Sequence, residues 1–130
     1  MDRRPQARER ARRVERRIVN TRVESLFWLA QRASAAILAV CVAVHLGTMI
    51  LAVRGGLTAA EILGRVRGSA AWEVFYWVFA LAVAVHAPLG LRAILREWAD
   101  WRGPSLEGAT ALAALALAVF GIRAVAGLIG

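Results

Sequence analysis

Both histidines of the sequence, His45 and His86, fall inside long runs of apolar residues. Ionisable side chains are costly inside a membrane, so each one is a functional hypothesis by default. A membrane histidine can serve only to hydrogen-bond a neighbouring helix. Burial favours the neutral imidazole, however, and a neutral imidazole is a good axial ligand for haem iron. Because both histidines occupy such positions, on faces with small neighbours, we favour haem ligation.

Helical spacing groups the other polar residues of these runs. At about 100° per residue, one face of the first run carries Gln31, Ser34, Cys41, His45 and Thr48. Arg32 points away from this face and lies near the membrane boundary, where a guanidinium can reach the interface or bind an anion or a quinone oxygen. In the second run, Gly90 lies one turn from His86. We expect this glycine to leave room for a bulky group beside the imidazole.

The depths of the two histidines indicate that they do not bind the same iron. From Trp28 to His45 there are seventeen residues, or roughly 26 Å of helix. From His86 to Trp98 there are twelve, or roughly 18 Å. Two axial ligands of one iron must lie at the same depth, whereas these differ by about 8 Å when measured from the same side. The estimate favours two haems, each with its second ligand from a partner subunit, because the chain has no third histidine.

Three apolar runs must position these residues, at about 26–53, 72–98 and 107–128. Each is long enough to cross about 30 Å of hydrocarbon at about 1.5 Å per helical residue. The chain is 59% hydrophobic and its mean hydropathy is +0.55, which excludes a water-soluble domain. We therefore predict an all-α fold in which residues 26–130 form a membrane domain of three transmembrane helices. Ser25 is the predicted N-cap of the first helix.

Two further local features are predicted between and within these helices. The loop after the first helix contains a short amphipathic turn at 58–66, and residues 99–106 form a tight turn with Gly103 and Pro104. Pro88 lies in the middle of the second helix. A proline there removes one backbone hydrogen bond and usually bends the helix axis.

The N-terminal segment, residues 1–25, is rich in arginine. Nine of the 17 basic residues lie within residues 1–24, and all 17 are arginine. Positive charge beside a membrane helix predicts a cytoplasmic N-terminus, which would place the C-terminus on the other side after three crossings. Residues 1–17 are expected to be disordered or to lie on the membrane surface. They lack the aromatic residues of a nucleic-acid stacking surface, so no nucleic-acid partner is expected.

Two segments together resemble a known family. Residues 28–35 (WLAQRASA) resemble the S-x-x-H-R-x-S-G segment that opens the first helix of the succinate dehydrogenase cytochrome b membrane anchor. Residues 86–97 (HAPLGLRAILRE) resemble that family's H-x-x-x-G-x-R-H-x-x-x-D segment on the second helix. The spacing of the two segments and the three-helix layout also suit the family, and the resemblance covers roughly residues 22–102.

The resemblance implies roles for individual residues. His86 matches the haem axial ligand, and His45 is similar to the first-helix ligand of di-haem members of the wider superfamily. Arg92 matches a basic residue near the haem propionates, and Arg96 is expected to assist it. The quinone-binding candidates are Trp28, Gln31, Arg32 and Ser34.

Several positions depart from the family pattern. Trp28 replaces a quinone-site serine, Gln31 replaces a histidine and Ala35 replaces the glycine of the first segment. Ala93 replaces a second histidine and Glu97 replaces the aspartate of the second segment.

The resemblance further implies a cytochrome b anchor in a bacterial inner membrane, with haem b as cofactor and quinone as electron acceptor. Its expected partners are a second membrane anchor subunit, an iron–sulfur subunit, a flavoprotein subunit carrying FAD, and membrane lipid. The anchor is not catalytic alone. Two alternatives stay open: a single-haem anchor that uses only His86, and a haem-free membrane scaffold or assembly protein.

Overall fold

The computed structural model describes residues 4–130, and α-helix is the only regular secondary structure in that part of the chain. Its four helices, in chain order, are α1 (Arg4–Arg54), α2 (Ala59–Val66), α3 (Ala70–Trp98) and α4 (Pro104–Ile129). Helices α1, α3 and α4 are long and apolar enough to cross a membrane. The predicted all-α fold with three transmembrane helices is therefore confirmed.

Helix α1 starts much earlier than the sequence predicts. It begins at Arg4 instead of near Leu26, so residues 4–17 are helical, while residues 1–3 lie outside the described part. The arginine, glutamate and alanine residues of this segment all favour helix, and an Arg13–Glu9 ion pair spans one helical turn. The prediction that Ser25 caps the helix is wrong. Its hydroxyl lies within α1 and donates to the Thr21 carbonyl at 2.8 Å.

The amphipathic turn predicted at 58–66 is confirmed as helix α2. Thr58 is its N-cap and forms a capping box with Glu61. The Glu61 backbone N–H donates to Thr58 Oγ1 at 3.3 Å, and the Thr58 N–H donates to Glu61 Oε2 at 2.7 Å. These two bonds satisfy backbone donors that the first turn of a helix leaves free. The Thr58 hydrogen bonds lower the pKa of Glu61 below its ordinary value.

Helix α3 lies in contact with both other long helices, and α1 and α4 make their main contacts with it. The side of α1 that is buried against its neighbours includes Ser34, Cys41 and Ala52, which agrees with the polar face predicted from helical spacing. Helices α3 and α4 come close at Gly121 of α4, where an added Cβ atom would lie 3.1 Å from the Cβ of Ala80 on α3. Small residues permit such approaches between membrane helices.

Most of the apolar surface of the long helices is not covered by the chain itself. In the most apolar window of each helix, between 6% and 17% of the residues are buried. This surface therefore faces lipid or other protein chains. Pro88 lies inside α3 as predicted and is buried.

The connection from α3 to α4 is a short turn, and α4 begins at Pro104. Gly103 has a φ of +93°, a backbone conformation that glycine adopts without strain. Proline at the first helical position costs no hydrogen bond, because the N–H it lacks would be unpaired there.

Candidate functional site

His86 on α3 faces the backbone and a hydroxyl of α1. Its Nδ1 lies 3.4 Å from the carbonyl oxygen of Gln31 and 3.5 Å from Ser34 Oγ. Both distances exceed the roughly 2.7–3.2 Å that is usual for N–H···O hydrogen bonds, so the two contacts are weak. A carbonyl oxygen can only accept, so the contact with Gln31 requires the proton on Nδ1 and leaves the lone pair on Nε2. Iron-ligating histidines are commonly oriented in this way, by a hydrogen bond from the other ring nitrogen.

Ser34 is buried at this contact, with 5% of its surface exposed. Its hydroxyl donates to the Ala30 carbonyl at 2.7 Å and lies 3.1 Å from the Gln31 carbonyl oxygen. The hydroxyl hydrogen is thus directed at the backbone of its own helix. The oxygen remains as an acceptor toward His86.

A cavity of about 680 Å³ opens between α1, the end of α3 and the turn that follows. It contains three of the four predicted quinone residues and both predicted propionate residues; in the described structure, Ser34 and the two histidines are not part of its wall. Its lining consists of Glu24, Phe27, Trp28, Gln31, Arg32, Leu89, Arg92, Ala93, Arg96, Glu97, Asp100 and Arg102.

The two predicted propionate arginines already hold carboxylates of this chain. Arg92 Nε and Nη2 donate to Glu107 at 2.8–3.1 Å, and Nη2 also donates to Glu24 at 3.3 Å. Arg96 Nη1 donates to both Glu24 oxygens at 3.2 and 3.3 Å. The Arg92 guanidinium stacks on Phe27, with its carbon 4.9 Å from the ring centroid. This ionic cluster ties α1, α3 and α4 together beside the cavity.

Sequence reasoning missed Glu24 and Glu107 as members of this cluster. Glu24 lies 68 residues from Arg92, and Glu107 lies 15 residues from it. Only their positions could have indicated this, because each acid precedes an apolar run at the same predicted side of the membrane. In the structure both carboxylates are about half exposed, whereas the Arg92 side chain is only 11% exposed.

The space expected beside Gly90 contains the side chain of Gln31, and its use by a bulky group beside the imidazole stays a prediction. A Cβ atom on Gly90 would lie 3.1 Å from Nε2 of Gln31, because the Gln31 side chain occupies that space. Oε1 of Gln31 is buried and has no hydrogen-bond partner in the described part of the chain. Next to it, the Arg32 guanidinium stacks over Trp28, with its carbon 5.1 Å from the ring centroid.

His45 lies in aromatic surroundings nearer to α2. Its ring makes edge contacts with Tyr76 and Phe79, with centroids 6.1 and 5.9 Å apart. Its Nδ1 is buried without a hydrogen-bond partner among residues 4–130. Thr48 Oγ1 donates to the backbone carbonyl of His45 at 2.8 Å and does not engage the ring.

The two imidazoles lie at different levels of the α1–α3 interface. His86 is opposite Gln31 and Ser34, whereas His45 is opposite Tyr76 and Phe79. Seven residues of α3 separate Phe79 from His86, which is roughly 10 Å along the helix. This separation agrees with the unequal depths estimated from the sequence. Within residues 4–130, no cluster of three or more His, Cys, Asp or Glu residues could hold a metal ion.

Residues 6–125 match the family model described as the succinate dehydrogenase/fumarate reductase transmembrane subunit. The chain belongs to this family. No curated protein and no solved structure matched the chain. As a succinate dehydrogenase/fumarate reductase transmembrane subunit, it is a membrane component of an oxidoreductase complex that includes other subunits. The segments that resemble the cytochrome b anchor lie inside the matched range.

Proposed function

We propose that the chain is the cytochrome b anchor of a succinate dehydrogenase and that His86 binds haem b through Nε2. The observation that carries this proposal is the contact of His86 Nδ1 with the Gln31 carbonyl and Ser34 Oγ. Two acceptors at one ring nitrogen fit an axial ligand, because they keep the proton on Nδ1 and fix the ring. Bound haem would supply one-electron chemistry, and burial and nearby charge would tune its potential.

The cavity between α1 and α3 is the proposed quinone site. A quinone carbonyl accepts hydrogen bonds, and the wall offers donors in Arg32, the amide of Gln31 and the indole of Trp28. The unpartnered atom of Gln31 is Oε1, which accepts hydrogen bonds, so it would pair with the hydroxyl of the reduced quinol and not with a quinone carbonyl. The fourth candidate, Ser34, is oriented toward His86 instead.

Arg92 and Arg96 remain the proposed partners of the haem propionates. Arg96 is the more available of the two, since its contacts in the described structure are with Glu24 alone. Arg92 holds Glu107 through two nitrogens as well as Glu24. A propionate would therefore compete with Glu24 more readily than with Glu107.

The remaining proposals concern assembly and orientation. The uncovered apolar faces of the helices are available to lipid and to a second membrane anchor subunit, which would supply the other axial ligand. The iron–sulfur subunit and the FAD flavoprotein would dock on the cytoplasmic side, where the arginine-rich N-terminus lies by the positive-inside rule. The proposed membrane is the bacterial inner membrane.

The test of haem binding is a reduced-minus-oxidised absorption spectrum of the purified complex that carries His86→Ala. We expect the b-type band assigned to this ligand to be lost while the subunits still co-purify. Thr48→Ala is the control, because Thr48 lies on the face of α1 that carries Ser34 and, in the described structure, its hydroxyl donates to a carbonyl of its own helix and not to His86. An undiminished b-type band in the His86 variant would refute the proposal.

A second haem at His45 is the further candidate function. It is supported by the level of His45, which differs from that of His86, and by its buried ring nitrogen without a partner. Buried polar atoms without hydrogen bonds are rare and call for an explanation, such as a redox centre or a missing ligand. The number of haems per purified complex distinguishes this arrangement from a single-haem anchor.

A further inference from the structure

Ser34 occupies a position that the proposed quinone contacts do not explain. It is 5% exposed, and the cavity wall in the described structure is formed by its neighbours on α1 without it. The side chain that it meets across the helix interface is His86. Its role must therefore be sought at the imidazole.

The hydrogen bonds of Ser34 determine what it offers to that imidazole. A hydroxyl has one hydrogen and two lone pairs. The hydrogen is directed at the Ala30 carbonyl, 2.7 Å away, with the Gln31 carbonyl oxygen at 3.1 Å. Ser34 Oγ therefore acts as an acceptor toward Nδ1 of His86, together with the carbonyl oxygen of Gln31. Two acceptors hold the proton on Nδ1 and increase the basicity of Nε2.

We infer that Ser34 is a positioning residue for His86, which fixes the tautomer and the orientation of the haem ligand, and that it does not contact quinone. This inference rests on the proposed function, because it requires His86 to be an axial ligand. A stronger hydrogen bond at Nδ1 makes the imidazole a better electron donor and stabilises oxidised iron. Removing the Ser34 oxygen should therefore raise the reduction potential of this haem.

The test is Ser34→Ala in the assembled complex, with a potentiometric titration of the haem and the KM for quinone as readouts. Loss of one hydrogen bond is worth roughly 0.5–1.5 kcal/mol, which corresponds to a shift of about two- to tenfold in the reduced-to-oxidised ratio at a fixed ambient potential. We expect this shift in favour of reduced haem, with the KM for quinone unchanged. Ser34→Thr retains the oxygen and should keep the wild-type potential.

Ser25→Ala is the matched control. Ser25 lies on the same helix and donates to the carbonyl four residues earlier at 2.8 Å, as Ser34 does at 2.7 Å, but it is exposed. This variant should leave the potential unchanged. If Ser34→Ala does not assemble, Ser34→Cys keeps the side-chain volume close to that of serine and replaces the oxygen by a weak acceptor, so it should shift the potential in the same direction.

Two results separate failure of the inference from failure of the proposed function. An unchanged haem potential with a raised KM for quinone would overturn the positioning role and return Ser34 to the quinone site. A b-type band that survives His86→Ala would instead show that His86 is not the haem ligand, and the proposed function would then fail. A raised potential with unchanged KM, restored by threonine, would establish the positioning role.

Discussion

The two ends of the α1–α3 interface place one histidine each in different surroundings. At the end nearer the N-terminal segment, His86 meets a carbonyl and a hydroxyl, and the ionic cluster of Glu24, Arg92, Arg96 and Glu107 lies nearby. At the end nearer α2, the ring of His45 meets aromatic side chains and its Nδ1 has no partner within residues 4–130.

The difference shows that one pair of helices can present two histidines of which, in the part of the chain that the structure describes, only one has hydrogen-bond acceptors at its Nδ1. His86 is oriented by groups of its own chain, so under the proposed function its Nε2 would face the haem iron before haem binds. His45 has no such acceptor in the described structure, and a protonated Nδ1 there would remain unsatisfied at a cost of roughly 1–3 kcal/mol. If both histidines bind haem, the two sites should differ in how firmly they hold it.

The largest expected effect is on haem retention. We expect a competing ligand such as free imidazole, added to the purified complex, to release any His45-bound haem well before the His86-bound haem. A difference of roughly 1–3 kcal/mol corresponds to about a five- to hundredfold difference in the imidazole concentration required. Haem content is measured by absorption as imidazole increases, with His45→Leu and His86→Leu assigning each phase.

Release of both haems at the same imidazole concentration would show that the two histidines hold haem equally firmly. Release of the His86-bound haem first would show that His45 holds haem more firmly. A single phase that His45→Leu does not alter would support the single-haem anchor.

The next effect concerns the ionic cluster, which the α2 end lacks among the described residues. Arg92→Met leaves the Glu24 and Glu107 carboxylates without this partner and should lower the stability of the assembled complex by about 1–3 kcal/mol. Thermal unfolding in detergent, at one protein concentration, measures the loss. Arg102→Met is the control, because Arg102 and its partner Asp100 are 68% and 84% exposed and an exposed pair contributes little. Equal losses of stability in both variants would show that the cluster stabilises the complex no more than an exposed ion pair does.

The smallest effect is confined to α2. The Thr58 hydrogen bonds lower the folded-state pKa of Glu61, so the capping contribution is present above the ordinary carboxyl pKa and is lost as the pH falls through the lowered one. Hydrogen exchange of the α2 amides should therefore show protection that is lost as the pH is lowered past the ordinary pKa of a glutamate, about 4.3, and through the lowered pKa of Glu61. Glu61→Gln keeps a capping box but should remove this pH dependence. Protection that declines equally in both proteins would exclude Glu61 as its cause.

The parts of the fold predicted from the sequence are those that depend on local patterns. Apolar length predicts the three transmembrane helices, and helical periodicity predicts the face of α1 that carries Ser34 and His45. The start of α1 was missed because an arginine-rich segment is compatible with both helix and disorder. The exposed Arg13–Glu9 ion pair, one turn apart, adds a small stabilisation to the helical form.

The candidate site was only partly predictable, for a different physical reason. Residue types, spacing and the family resemblance pointed to His86, Arg32 and Arg92 as candidates, and their roles stay predictions. Partners that come from other helices carried no local signal, so Glu24 and Glu107 were missed as counterions of the arginines. The place of the Gln31 side chain beside Gly90 also carried no local signal, because it depends on how α1 packs against α3.

The unbroken length of α1 has a mechanical consequence. Its 51 residues extend for roughly 75 Å, more than twice the thickness of the hydrocarbon layer of a membrane. The arginine-rich end of α1 and the segment that carries Gln31 and Ser34 therefore belong to one continuous helix. A subunit bound at that end would be joined to the candidate site by uninterrupted helical backbone.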